Sequence, residues 1–262
     1  MAVELEHLSY SSISTYHMCP RSWYFRYVEK VEVPTSTALV FGSAFHGVIE
    51  EMIQQRVNGK SIPLADVWGE AWNKQLERNP LINWDGETPE SLYNEGTRIL
   101  STPDVTDMIG AISPAQDDEG LMIERKVMLH VPDVPVPVIG YVDIIEADGV
   151  PADFKTSSRG WNEGKVASEL QPDFYLAALK LSEYGNFIPD DLRFRYYVFV
   201  KTKTPRVEMW ETSRKWSDFI WLFLFVKETW RAIEAEAFPP NPTTWKCSEK
   251  WCEYWSMCRG KV

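Results

Sequence analysis

Apolar residues recur at helical spacing through the first 110 or so positions and switch to a period of two near residue 121. "LSYSSISTYHMCP" predicts a short capped helix, with Ser9 or Ser11 supplying the oxygen that accepts from free backbone N–H groups and Pro20 interrupting it. Over 43–59, Phe45, Val48, Ile49, Met52 and Ile53 share a helical face, and Gly59 marks the stop. Further helical patterns cover 63–78, 88–100 and 103–112. From 121, "LMIERKVMLHV", "VIGYVDIIEA" and "VPADFKT" predict three strands, the last two joined by a turn that contains glycine. A helix over 168–184, strands over 193–201 and 206–212, and a long aromatic helix over 214–236 follow, until Pro239, Pro240 and Pro242 end the regular structure. This order predicts an α/β (α+β) fold with a mixed central sheet flanked by helices.

Composition narrows the function. The 262 residues are 44% hydrophobic, enough for a sizeable core, and most of the Trp, Tyr and Phe are expected inside it. A net charge of −11 weighs against a protein that coats nucleic acid indiscriminately. It leaves a nuclease open, because ligand carboxylates count in that sum and a bound cation reverses the field at the site. The start lacks a basic segment followed by an apolar run, and no stretch approaches the roughly 20 apolar residues of a membrane span, so a cytoplasmic protein without membrane partners is expected. Of four cysteines, three crowd between 247 and 258, which points to a metal or cluster site rather than a secreted disulfide framework.

The second strand turn carries unexpected charge. A three-residue loop of Ala147, Asp148 and Gly149 pairs Glu146 with Val150, and therefore Asp143 with Asp153. Both carboxylates and Lys155 then share one face, with Val142, Ile144, Ala152 and Phe154 on the other, the core face. A two-residue Asp-Gly turn would instead pair Asp143 with Phe154 and split the set. Two close carboxylates repel unless a cation lies between them, and a divalent metal meets that need, with Lys155 suited to hold or activate a water. A solvated hairpin face with an incidental ion pair accounts for the same residues. His46 and Glu50 stand one helical turn apart upstream, and Gln171 and Tyr175 repeat that spacing downstream.

Taken in order, G-S-A-F-H at 42–46, G-Y-V-D at 140–143, D-F-K at 153–155 and Q-P-D-F-Y at 171–175 resemble the PD-(D/E)XK nuclease superfamily. The resemblance is in particular to its RecB-like branch, which includes CRISPR-associated iron–sulfur exonucleases and phage relatives, and it runs from about residue 8 to 258. The resemblance implies one domain over 1–262: a helical part at 31–115, a restriction-endonuclease-like catalytic core at 116–239, and segments 1–30 and 240–262 joined at an iron–sulfur cluster. It implies His46, Asp143, Asp153 and the backbone carbonyl of Phe154 as ligands of Mg or Mn, and Lys155 as the catalytic lysine. Gln171 and Tyr175 match the helix beside the active site. The second acid is Asp153 where many relatives carry Glu, a shorter reach. Arg159 and Lys165, between hairpin and helix, are candidate phosphate contacts, against the alternative of solvated loop charge.

"KCSEKWCEYWSMC" supplies Cys247, Cys252 and Cys258, and Cys19 precedes them near the other end of the chain. Paired C-x2-C spacings typical of structural zinc are absent, whereas a four-thiolate cluster tolerates irregular spacing in an aromatic surround. Iron–sulfur members of the branch take one Cys early, often before Pro as at Cys19-Pro20, and three late. A 4Fe-4S cluster is therefore expected, with zinc or unrelated free thiols as the alternatives. The function expected is metal-dependent exonuclease action on DNA, single strands favoured. The alternatives are a non-catalytic subunit that holds DNA ends for CRISPR adaptation or phage recombination proteins, and an iron–sulfur redox protein.

Overall fold

The computed structural model describes residues 4–60 and 62–260. Helices α1 (Tyr10–Met18) and α2 (Pro20–Tyr27) open the chain. Ser12 N–H donates to Ser9 Oγ at 3.0 Å and Ser9 N–H returns the bond to Ser12 Oγ at 2.9 Å, a reciprocal cap. Pro20 stops α1 but also starts α2, since a first-turn proline loses no hydrogen bond. Strand β1 (Thr35–Ser36) leads into α3 (Thr37–Val57), which begins before the expected residue 43 because Ser36 caps it through Leu39 N–H. There follow α4 (Leu64–Arg78), β2 (Ile82–Asn83), α5 (Pro89–Leu100), α6 (Pro103–Ala111), β3 (Gln116–Asp117) and β4 (Gly120–Leu121).

The main sheet is built from β5 (Ile123–Leu129), β6 (Val138–Ile145), β7 (Pro151–Ser157), β8 (Arg193–Val200) and β9 (Arg206–Ser213), in that spatial order. Only the β7–β8 pair is parallel. Between those two strands run α7 (Glu163–Ser168) and α8 (Gln171–Lys180), two helices where one over 168–184 was expected. A continuous helix would bury Pro172 in its interior; instead α8 starts one residue before it. The chain closes with α9 (Trp216–Glu234) and the short α10 (Trp255–Cys258).

Each face of the sheet has its own core. One lies against α1, α2, α8 and α9 and includes Trp23, Leu176, Tyr196, Val198 and Leu222. The other lies against α3 to α6 and includes Phe41, Phe45, Trp68, Phe154 and Phe199. Alternation along β8 sends Tyr196 and Val198 to the first and Tyr197 and Phe199 to the second. The mixed α/β architecture is as expected, and among the described residues no helix is long and apolar enough to cross a membrane.

The β6–β7 turn has the expected length. Ile144 lies opposite Ala152 and Ile145 opposite Pro151, and Glu146 N–H donates to Val150 O at 3.0 Å. Arg195 of β8 ties the loop down, donating from Nη1 and Nη2 to the Asp148 carboxylate at 3.2 and 2.6 Å. The expected single core face is wrong, however. Val142 enters the first core, whereas Ile144, Ala152 and Phe154 enter the second. The pleat of β6 breaks at Asp143: rungs join Ile123 to Ile144 and Arg125 to Val142, and the intervening Glu124 has φ of +52°.

Gly149 sits at φ +82°, and a Cβ there would lie 2.4 Å from the Phe187 carbonyl oxygen. Gly149→Ala should therefore lower the stability of the protein by about 1–3 kcal/mol, read as an earlier denaturant midpoint at unchanged slope. An unchanged midpoint would show that the loop tolerates a different turn.

Candidate metal centre at a strand fork

β6 and β7 are paired at two rungs beside the turn and then part. Asp143 fills the opening: its Oδ2 accepts from Phe154 N–H at 2.7 Å, where a ladder carbonyl would otherwise stand. Because the N–H and C=O of one strand residue point the same way, the Phe154 carbonyl also faces the fork. Asp143 and Asp153 are both buried there.

Helix α3 approaches from the second core. His46 Nδ1 lies 3.3 Å from Asp143 Oδ2, and Glu50 follows one turn later on the same helical face. Ligand atoms of His46, Glu50 and Asp143 all lie within 4.8 Å of one another. A cleft of about 820 Å³ between α3 and α4 opens onto His46 and Glu50, with Glu124 also on its wall.

Helix α8 approaches from the first core. Gln171 Nε2 donates to Asp153 Oδ1 at 2.5 Å, and Lys155 Nζ is paired with Asp153 Oδ2. Tyr175 lies one turn after Gln171, over Gly140 of β6. A Cβ at Gly140 would come within 2.6 Å of Tyr175 Cε1, so the glycine and the tyrosine, drawn from two separate motifs, are packing partners.

Of the residues expected from sequence, His46, Asp143, Asp153, Lys155, Gln171, Tyr175 and Phe154 all reach this fork. The trio with the closest ligand atoms contains Glu50 rather than Asp153, whose oxygens are engaged by Lys155 and Gln171. Glu124 was missed altogether. It sits at an outward position of a regular strand, and only its left-handed backbone marks it as exceptional. Arg159 lies in the bend after β7, its carbonyl accepting from Ser157 Oγ at 2.7 Å. Lys165 is paired with Glu169 and lies 5.2 Å over the Trp161 ring, so its charge is already offset.

The charges at the fork are unequal. Burial raises both aspartates, but at Asp143 the His46 imidazole, Lys155 and the Phe154 N–H outweigh it and the net shift is downward. Asp153, equally buried and facing Asp143, is pushed up to about 6 despite Lys155. Burial lowers Lys155, yet Asp153 and Asp143 more than restore it, and it stays an ammonium. Glu50 is held well above the usual carboxylate range, by burial first and by the facing Glu124 second. Four carboxyl groups thus converge on one imidazole and one ammonium, a surplus that a divalent cation would offset. An imidazole nitrogen with hard carboxylate oxygens fits such an ion.

At the other end of α1, Cys19, Cys247, Cys252 and Cys258 line one cavity of about 280 Å³. Burial pushes the Cys19 thiol up, but N–H donors from Asn241 and Ser22 and the Ser22 hydroxyl outweigh it, and the net shift is down, toward thiolate.

The sequence profile of the PD-(D/E)XK nuclease superfamily matches residues 7–259. No curated protein matches. Among solved structures, a candidate exonuclease of Eubacterium rectale superposes with a TM-score of 0.59 at 12% identity, over 98% of this chain and 88% of that one. At that identity the likeness is one of fold. SSO0001 gives a TM-score of 0.39 at 12% identity over 96% of each chain. Rai1 of Scheffersomyces stipitis gives 0.23 at 14% identity over 79% of this chain and 64% of that one.

The raised Asp153 fixes a pH dependence. Its folded value, about 6, exceeds the ordinary 3.8, so the folded state binds the extra proton in between. Stability from this group is complete below about pH 4 and lost as pH rises through about 6. In metal-free protein, wild type should lose on the order of 2 kcal/mol relative to Asp153→Asn across that interval. The thermal gain on adding Mn to wild type should grow over the same range, as the proton yields to the ion. A pH-independent gap between the two proteins would contradict the assignment.

Proposed function

The chain belongs to the PD-(D/E)XK nuclease superfamily, and from that premise we propose that it hydrolyses DNA phosphodiester bonds with a divalent cation, acting at DNA ends and favouring single strands. The observation that carries this reading is the fork, where ligand atoms of His46, Glu50 and Asp143 lie within 4.8 Å of one another beside the pair of half-buried Lys155 and buried Asp153. The donor set makes Mn at least as suitable as Mg, and Asp153 and the Phe154 carbonyl are the further groups within the opening. The Eubacterium rectale protein of the same fold is a candidate exonuclease, and end-directed cleavage is carried to this chain as part of the proposal.

When bound, the ion polarises the phosphate and lowers the pKa of a water. Lys155, kept charged by the two aspartates, points ammonium donors at the water that attacks in line. Gln171 fixes the Asp153 carboxylate and so the lysine beside it. Tyr175 closes the wall over Gly140 and keeps bulk water from that side. Arg159 is the loop cation left to meet a phosphate.

The four cysteines are assigned by the same proposal to a structural 4Fe-4S cluster. Sulfurs about 2.3 Å from one zinc would sit about 3.8 Å apart. Here the four cysteines share one cavity of about 280 Å³ and lack the paired C-x2-C spacing of structural zinc. Tyr254 and Trp255 on the cavity wall give the aromatic surround that a cluster uses.

With labelled single-stranded DNA and Mn, wild type should cleave, while Asp153→Ala and Lys155→Ala should each lose about 100-fold or more in rate. Equal cleavage by all three would remove both residues from the mechanism; no cleavage by wild type would leave a DNA-binding module. Anaerobically purified protein should show a broad violet absorption shoulder that Cys19→Ser abolishes. A colourless protein with stoichiometric zinc would replace the cluster assignment.

A further inference from the structure

Trp23, Trp68, Trp72 and Trp230 are buried in the cores, whereas the cysteine-rich tail holds two exposed indoles. Trp245 is 68% exposed and Trp251 50% exposed. Their rings meet edge to face, with centroids 6.1 Å apart, so each keeps most of a face open to solvent. Lys250 Nζ lies 4.7 Å from the Trp251 ring centre, Arg259 lies 5.3 Å over the neighbouring Trp255, and Lys246 is paired with Glu253. Over 245–260 three cations outnumber two acids, in a chain of net charge −11. The other exposed indoles, Trp216 and Trp221 on α9, sit among Ile220 and Leu224, and among the described residues no cation lies over either ring.

Helix α1 connects this patch with the fork. Tyr10 at its start packs on Phe174 of α8, ring centroids 5.5 Å apart, and its hydroxyl reaches Glu169 at 3.5 Å. Ser14 and Met18 follow at four-residue spacing on the same face and line the sulfur cavity, with Arg21 beyond. Nine helical residues span about 13 Å, a path of a few nucleotides bordered by hydroxyls.

We infer that Trp245 and Trp251, with Lys250 and Arg259, form a stacking platform for unpaired bases of a single DNA strand that runs along the Tyr10–Ser14 face of α1 to the fork. Stacking on aromatic faces tolerates any base, and the neighbouring cations hold the phosphates between stacked bases. An acidic protein cannot rely on its overall field to gather DNA, so base stacking has to provide much of the grip. The inference rests on the nuclease reading of the fork and assigns it a substrate of single strands longer than the fork alone requires.

The test uses the full-length protein as purified, a fluorescein-labelled oligo-dT and no added divalent cation, with binding read by anisotropy. Trp245→Ala and Trp251→Ala should each weaken binding roughly tenfold, and the double substitution more, while Trp→Phe at both positions retains most of the affinity. With Mn, the alanine variants should raise KM for the long oligonucleotide and leave kcat near wild type. Retained violet absorbance in each variant shows that the tail is intact. Wild-type affinity in the double alanine variant would overturn the platform. So would loss of binding accompanied by a wild-type dimer that falls apart in the variant, since that gives the face to a second copy of the chain. Failure of wild type to cleave while it still binds through these indoles would sink the nuclease reading and leave the platform standing.

Discussion

The Asp143 carboxylate accepting the Phe154 N–H holds the architecture of the fork together. Where two strands part, backbone N–H groups lose their ladder partners, and a buried donor without an acceptor costs about 1–3 kcal/mol. Asp143 supplies the acceptor from a side chain, in a charge-assisted bond of 2.7 Å. The strands can therefore diverge without leaving an orphan, and an ionised carboxylate is locked in the gap. The broken pleat accompanies this arrangement: Ile144 turns to the second core, Val142 stays in the first, and Glu124 across the missing rung takes a left-handed backbone.

A fork in the middle of a sheet also admits side chains from both faces. His46 and Glu50 arrive on α3, fixed by Phe41, Phe45 and Ile49 in one core, and Gln171 and Tyr175 arrive on α8, fixed by Phe174 and Leu176 in the other. Each helix is held by apolar packing that does not involve the charged groups. The mutual repulsion of four carboxyls is thus imposed by the cores and shows itself in the upward shifts of Asp153 and Glu50. A site in which burial and like charges oppose ionisation is poised to take up a cation, because the ion relieves a strain that the packing maintains.

Local chemistry was readable where it acts locally. The Ala147–Gly149 turn announced its length and so the register of the hairpin, and the four-residue spacing of His46 and Glu50 announced a shared face. The sides of the hairpin were misjudged because strict alternation presumes an unbroken pleat, and the break at Asp143 depends on Glu124, a residue from a different strand. Glu124 carried no local sign, since its φ is set by the tertiary fork. Pro20 was seen as a stop and is equally a start, because its effect depends on whether the chain beyond it can helix. The many tryptophans look alike along the chain. Which of them face solvent is decided by what the rest of the fold leaves uncovered.

The two chain ends are brought together before any guest enters the sulfur cavity. Trp23 stacks on Phe238 at 5.6 Å, Tyr16 Oη donates to the Ala237 carbonyl at 2.6 Å, and Asn241 Nδ2 donates to the Met18 carbonyl at 3.0 Å. These contacts belong to the first core and its margin, which already closes the long loop between Cys19 and Cys247. The entropy of that closure is met by packing, so any ion or cluster bound by the four sulfurs would have only the tail beyond Asn241 left to order. Residues 247–258 carry little regular structure and few buried side chains apart from Tyr254, so packing holds them less firmly than it holds the fork. Helix α1 links the fork to the sulfur cavity: Tyr10 at one end reaches Glu169, and Cys19 caps the other.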